Sequence, residues 1–169
     1  MTTQILLRDA TASDLSAIVA IYNSTIPGRM VTADTTEVTV EERRPWFNDH
    51  LADPRRPLWV AVSAKGEVCG WLSLSSFYGR PAYLNTVELS VYIDARYRRQ
   101  GVASLLIHEA LTRSASYSIS TILTFIFGHN KPSLGLFEHF KFEKWGLLPG
   151  VASLDGVKRD LVIMGKTLG

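Results

Sequence analysis

The chain predicts an α/β (α+β) fold, a mixed sheet of about seven strands covered by four helices. Three observations carry that expectation. The hydrophobic period changes from helical to strand-like at Leu58, and returns to helical after Arg99. The candidate elements run strand, two helices, three strands, helix, strand, helix, two strands. Finally, "ISTILTFIF" is nearly all apolar, as a strand covered on both faces should be.

The elements follow in order. "QILLRDA" reads as a short opening strand. In "TASDLSAIVAIYN", Ser13 or Asp14 is the expected N-cap, and Leu15, Ile18, Val19 and Tyr22 keep helical spacing. The polar "STIPGRMVTADTTE" is expected to be a loop. "TVEERRPWFNDHL" reads as a second helix that Pro45 should kink or divide, because proline lacks the N–H and crowds the preceding turn. "LWVAVSA", a "KG" turn and "EVCGWLSLSSF" form a hairpin pattern, and "TVELSVYI" adds a strand rich in β-branched and aromatic residues. Beyond the arginines, Ala103, Leu106, Ile107, Ala110 and Leu111 make one apolar stripe for packing on a sheet. "KPSLGLFEHF" is a short helix with Pro132 near its start, and "FEKWGLL" and "RDLVIMGKTL" are closing strands.

At 169 residues the chain suits a single domain over residues 1–169, with no repeat or linker. A composition of 46% hydrophobic and 20% charged residues is that of a soluble globular protein rather than a disordered one. A net charge of +2 does not argue for nucleic acid. One cysteine, Cys69, excludes an internal disulfide and suits a reducing cytoplasm. The stretch "MTTQILLRDATASDL" lacks a basic leader with a long apolar run, so no membrane role is expected.

The richest segment is "RYRRQGVASLLIHEAL". A helix N-terminus already carries partial positive charge, so arginines crowded there suit an external anion. Gly101 and Ala103 keep bulk away from the backbone, and Arg98 and Arg99 can add charge-assisted hydrogen bonds. Neither the P-loop pattern nor G-x-G-x-x-G is present. The competing reading is a solvated basic loop in which Gly101 serves only the turn.

Arg98-Arg99-Gln100-Gly101-Val102-Ala103 resembles the acyl-CoA pyrophosphate loop of the GNAT N-acetyltransferases: Gln or Arg, two residues, Gly, one residue, Gly or Ala. "NKPSLGLFEHFKF" resembles a second motif of that family through Asn130, Ser133, Leu136, Glu138 and Phe142, with Lys141 where glycine is usual. "IYNSTI", the "WF" helix and "YLNTVELSVYI" together resemble the phosphinothricin and methionine-sulfone acetyltransferase branch, over about Leu6 to Met164. The resemblance implies a mostly antiparallel sheet, acetyl-CoA as cosubstrate, a small-molecule amine as acceptor and a homodimer.

Glu88 stands alone among apolar neighbours on a strand that enters the loop. Amide formation needs a neutral amine, and amines are mostly protonated at neutral pH; a carboxylate in the cleft can take that proton. On the residues alone, a solvent-facing edge glutamate competes with this. The resemblance makes Glu88 the general base, implies that backbone groups of Val91 and Ile93 pair with the pantetheine arm, and brings Asn130 and Ser133 to the cofactor. It also turns Trp46, Phe47, Tyr83 and Asn85 toward the acceptor, although each serves equally well as a structural residue. Two departures matter. Phe137 stands where many family members have a tyrosine that protonates the leaving thiolate, and "KRD" stands where the branch often has "WHD". Arg159 there cannot act as a base, but can pair with a substrate carboxylate.

His50, His108, His129 and His139 show no metal-ligand spacing with Cys69, so surface or helix-edge roles and no metal are expected; Cys69 reads as a core residue. The expected activity is acetyl transfer from acetyl-CoA to the primary amine of an amino acid or analogue. The alternatives are acetylation of a protein N-terminus or lysine, and a non-catalytic acyl-CoA-binding module. A nucleic-acid binder is disfavoured, because the arginines form one cluster without interleaved aromatics.

Overall fold

The computed structural model describes residues 4–169. Seven strands form one sheet: β1 (Ile5–Asp9), β2 (Leu58–Ser63), β3 (Val68–Ser76), β4 (Thr86–Ile93), β5 (Thr121–Phe127), β6 (Glu143–Leu154) and β7 (Val157–Thr167). Their spatial order is β1-β2-β3-β4-β5-β7-β6, and every neighbouring pair is antiparallel except β4 with β5. Four helices cover it: α1 (Leu15–Ser24), α2 (Val40–Ala52), α3 (Val102–Arg113) and α4 (Lys131–His139).

Alternation along the strands sorts side chains onto two cores. Leu72, Leu74, Val87, Leu89 and Ile122 pack with Leu106, Ile107 and Phe137 on the α3/α4 face. Trp71, Val60 and Leu58 pack with Ile18, Tyr22 and Phe47 on the α1/α2 face. β2 is buried at all six positions, so it too is covered on both sides.

Three details differ from the sequence expectation. Asp14 is the N-cap of α1, one of the two residues expected there, but a 3-10 turn over Ala12–Asp14 precedes the helix, with Thr11 at its own N-cap; Thr11 N–H donates to the Asp14 carboxylate at 2.7 Å. Pro45 neither ends nor divides α2, which runs through it for 13 residues. Pro45 and Glu41 are both exposed, so the Glu41 carbonyl that loses its helical donor faces water, which can replace it. The closing strands extend further than their apolar runs and join at Asp155-Gly156, with φ of 53° and 79°. That pair is an Asp-Gly hairpin turn, whose two positive φ values suit the twist of the strands.

Candidate active site

β4 pairs with β3 along its length, but with β5 at three positions only, ending at Glu88 opposite Leu123. Beyond that point the two strands part. The gap widens into a cavity of about 480 Å³ walled by β4, β5, the start of α4, residues 151–154 of β6 and the Met30–Ala33 loop. Asn130 ties this loop down, donating from Nδ2 to Met30 O at 3.1 Å while its Oδ1 caps Ser133 N–H at 3.3 Å.

The backbone of β4 alternates between its two neighbours. Asp94 N–H donates to Cys69 O of β3 at 2.8 Å, whereas Leu89 O turns the other way and accepts from Thr124 Oγ1 of β5 at 3.1 Å. Val91 and Ile93 are in phase with Leu89, so their N–H and C=O groups face the open seam. Their side chains go to the α3 core. Glu88, Ser90 and Tyr92 have the opposite parity and project from the α1/α2 face, where Tyr92 packs on Trp71 with ring centroids 4.7 Å apart.

β4 leads directly into the arginine turn. Arg96 is committed to Asp94 at 2.9 Å and lies 3.8 Å from Glu67. Arg98 and Arg99 are exposed, and among the described residues their guanidinium groups take no ion-pair partner. Gln100 donates from Nε2 to Arg96 O at 3.1 Å. Arg99 (φ 61°) and Gly101 (φ 79°) both take the left-handed conformation, which brings the chain sharply into α3. The first backbone bond of α3 is Leu105 N–H to Gly101 O, and no side chain caps this end. The amides of Val102, Ala103 and Ser104 therefore have no helical acceptor, and a Cβ on Gly101 would meet nothing within 4 Å. This surface offers amide donors and two free cations to an anion.

Glu88 is half-buried, and among the described residues it takes no hydrogen bond or ion pair. Burial alone pushes its carboxyl above the usual range, which makes it a stronger base than a solvated glutamate. It is the one charged side chain in the cavity lining. Such a carboxylate is more easily ionised in the unfolded chain than in the folded one, so stability falls as pH rises through the folded pKa. Glu88→Gln is accordingly expected to raise Tm by a few °C at pH 7–8, with the gain fading at about pH 4; thermal melts across that range check it.

The remaining predicted positions separate. Asn130 and Ser133 line the cavity. Phe47 does not: it is 1% exposed in the α1/α2 core. Trp46 borders a smaller cavity of about 230 Å³, with Asp49, His50, Arg56 and Ser75. Tyr83 is exposed in a cluster with Phe77 and Tyr78, and the Asn85 side chain accepts from Arg55 at 3.0 Å; neither lines the main cavity, because the turn that carries them lies before β4 begins. Arg159 is outside the lining, but pairs across from Ala152 and stands two residues from Leu161, both of which line it. Phe137 is in the lining, 2% exposed, with its ring edge-on to Phe142. Sequence reasoning missed Ser90, Tyr92 and Thr124, although period-two alternation from Glu88 marks the first two. His50, expected at a surface or helix edge, is 8% exposed. Among the described residues, no group of three His, Cys, Asp or Glu side chains could hold a metal, and no helix is long and apolar enough to cross a membrane.

An opened parallel seam beside an uncapped, arginine-flanked helix start suits an elongated ligand that carries an anionic group. The acetyltransferase (GNAT) family model matches residues 18–142, and the chain belongs to that family. It is 53% identical to YwnH of Bacillus subtilis (strain 168), over 96% of this chain and 98% of that one. It is 32% identical to the L-methionine sulfoximine/L-methionine sulfone acetyltransferase of Pseudomonas aeruginosa, with 94% and 91% covered. A crystal structure of a phosphinothricin acetyltransferase from Sinorhizobium meliloti in complex with AcCoA superposes with a TM-score of 0.92 at 29% identity, covering 100% of this chain and 90% of that one. The protein is an acetyl-CoA-dependent N-acetyltransferase.

Proposed function

We propose that the chain, acting as one domain, acetylates the primary amine of a small amino acid or analogue of the phosphinothricin and methionine sulfone type. The observation that carries this reading is Glu88, a single uncompensated carboxylate in an otherwise uncharged cavity. It holds the acceptor ammonium, takes its proton directly or through a water, and leaves a neutral amine to attack the thioester in a ternary complex. Val91 and Ile93 pair with the pantetheine arm through their seam-facing backbone groups, much as an added strand would, and Asn130 and Ser133 flank it. Backbone donors hold the thioester oxygen as charge develops. The amides of residues 101–104, with Arg98, Arg99 and Gln100, take the pyrophosphate. Phe137 cannot protonate the leaving thiolate.

The names of the Pseudomonas and Sinorhizobium relatives support the substrate class. Enclosure of the cavity by residues 30–33 and 151–154 favours a small acceptor over a protein N-terminus or lysine. A homodimer is supported by Trp145, Leu147, Leu148 and Val151, which leave an apolar strip exposed on β6 at one edge of the sheet. Cys69, buried and unpaired, suits the cytoplasm.

A panel of amino acids and their decarboxylated counterparts, with acetyl-CoA and detection of free thiol, tests the substrate class. Amino acids are expected to be acetylated up to about fivefold faster in kcat/KM, the worth of one ion pair at a rim, and Arg159→Ala to erase the difference. A preference for the plain amines would overturn the reading.

A further inference from the structure

Among the described residues, no other titratable side chain lines the main cavity to take the proton from Glu88, apart from Tyr92, a phenol that burial keeps protonated. The α1/α2 face of the sheet supplies an exit. Ser75 lies directly opposite Glu88 across β3 and β4, so the two side chains rise from the same face on adjacent strands. Glu88 lines the main cavity, and Ser75 lines the smaller one under α2, so this cross-strand pair stands between the two cavities. Ser75 Oγ is 3.2 Å from His50 Nε2. On its other side His50 Nδ1 is 2.7 Å from Arg56 O. A carbonyl only accepts, so Nδ1 carries the hydrogen of the neutral ring and Nε2 is the lone-pair nitrogen. Ser75 therefore donates to Nε2, and its lone pairs remain open to a donor from the Glu88 side.

We infer that Ser75 and His50 form a relay that discharges Glu88 after each proton abstraction, through the smaller cavity to solvent. This rests on Glu88 being the base. The steps balance. The Glu88 carboxylate takes H⁺ from the acceptor ammonium, leaving a neutral amine and a carboxylic acid. The acid passes its proton through a bridging water to Ser75 Oγ as the Ser75 hydroxyl hydrogen moves to His50 Nε2. The result is ionised Glu88, an intact Ser75 hydroxyl and an imidazolium. Solvent in the smaller cavity then takes the Nε2 proton. Both residues act through Glu88, so they are positioning residues.

The surroundings of His50 fit a carrier that is charged only in transit. Burial holds its pKa below the usual value, so the ring is neutral and receptive at working pH. Asp49 and Asp53 of its own helix and turn ease the passing charge, and Arg56 from the following turn opposes it. Trp46 packs edge-on at 5.0 Å between ring centroids, and β3 contributes the uncharged Ser75 and Ser76. Glu88 on β4 is the proton source beyond them.

The test measures Ser75→Ala, His50→Gln, Glu88→Gln and the Ser75→Ala/Glu88→Gln double variant. Gln at position 50 offers the same hydrogen-bond shape but carries no proton, and Ser75→Ala is the readout if His50→Gln does not fold. Ser75→Ala is expected to lower kcat about tenfold, a fraction of the worth of the base itself, with the acetyl-CoA Kd unchanged. The acidic limb that His50 adds to the kcat–pH profile, beside the Glu88 limb, should vanish in His50→Gln. In the Glu88→Gln background, Ser75→Ala should cost nothing further. An unchanged kcat in Ser75→Ala, or a loss that adds fully to Glu88→Gln, overturns the relay while leaving Glu88 as base. If Glu88→Gln itself retains full turnover, the base and the relay fall together.

Discussion

Replacing Glu88 by Gln is expected to lower turnover about 10²- to 10⁴-fold, the usual worth of a positioned general base, with little change in acetyl-CoA affinity. The substitution keeps the shape and most of the packing of a half-buried side chain with no hydrogen-bond partner, so it removes a proton acceptor and little else. The pH dependence identifies the cause. In the wild type, kcat/KM rises with pH as Glu88 ionises, through a pKa that burial has raised, and rises again as the acceptor amine loses its own proton. In the variant the first limb is absent. Only the amine's limb remains, so part of the lost rate returns at high pH, where neutral amine is already abundant. A water that relays the proton without the carboxylate shifts the loss toward the lower figure. The measurement is the pH–rate profile of both forms with the best acceptor of the panel. Identical profiles would remove Glu88 from the chemistry.

Gly101→Val is expected to weaken acetyl-CoA binding tenfold or more, about 1.4 kcal/mol or greater. Two effects combine. At φ 79° a β-branched residue is strained, and relief of that strain would disturb the first turn of α3. The added side chain would also project into open space, because nothing of the protein lies within 4 Å of a Cβ there, and that is the space where the proposed site takes the pyrophosphate. Gly66 separates the two effects. It sits at φ 82°, also with nothing nearby, in the turn between β2 and β3. Gly66→Val should cost stability alone, whereas Gly101→Val should cost affinity as well. Calorimetric titration of both variants with acetyl-CoA decides it, and equal affinities would reduce the arginine turn to a connector.

Much of this was legible in the residues, and what was not has physical reasons. β4 could be read because its β-branched and aromatic residues are framed by polar turns, and α3 because its apolar stripe keeps one phase. The Asp155-Gly156 turn went unread because Pro149-Gly150 before it and Lys158-Arg159-Asp160 after it interrupt the apolar runs of the strands it joins. Pro45 misled because the cost of a proline inside a helix depends on whether the orphaned carbonyl can reach water, and a one-dimensional pattern does not say. Phe47 and Trp46 are neighbours on α2, but the helix sends one into the core and the other to the edge of a cavity. His50 was illegible for a related reason. Its burial depends on Arg56 and Ser75, which only the folding of α2 onto β3 brings to it.

The seam between β4 and β5 bears on how the chain can vary. A slot that recognises a ligand through N–H and C=O groups stores its specificity in the path of the main chain, which every residue type but proline supplies alike. At Val91 and Ile93 the side chains answer to the α3 core while the backbone groups face the seam, so one position can meet two demands without conflict. Drift in the interior leaves the slot intact as long as the strands keep their course. A TM-score of 0.92 at 29% identity shows how faithfully that course is kept while most of the letters change. Inheritance here is of a shape; Glu88 and Gly101 are the positions where the proposed chemistry asks for a particular residue instead of a path of backbone.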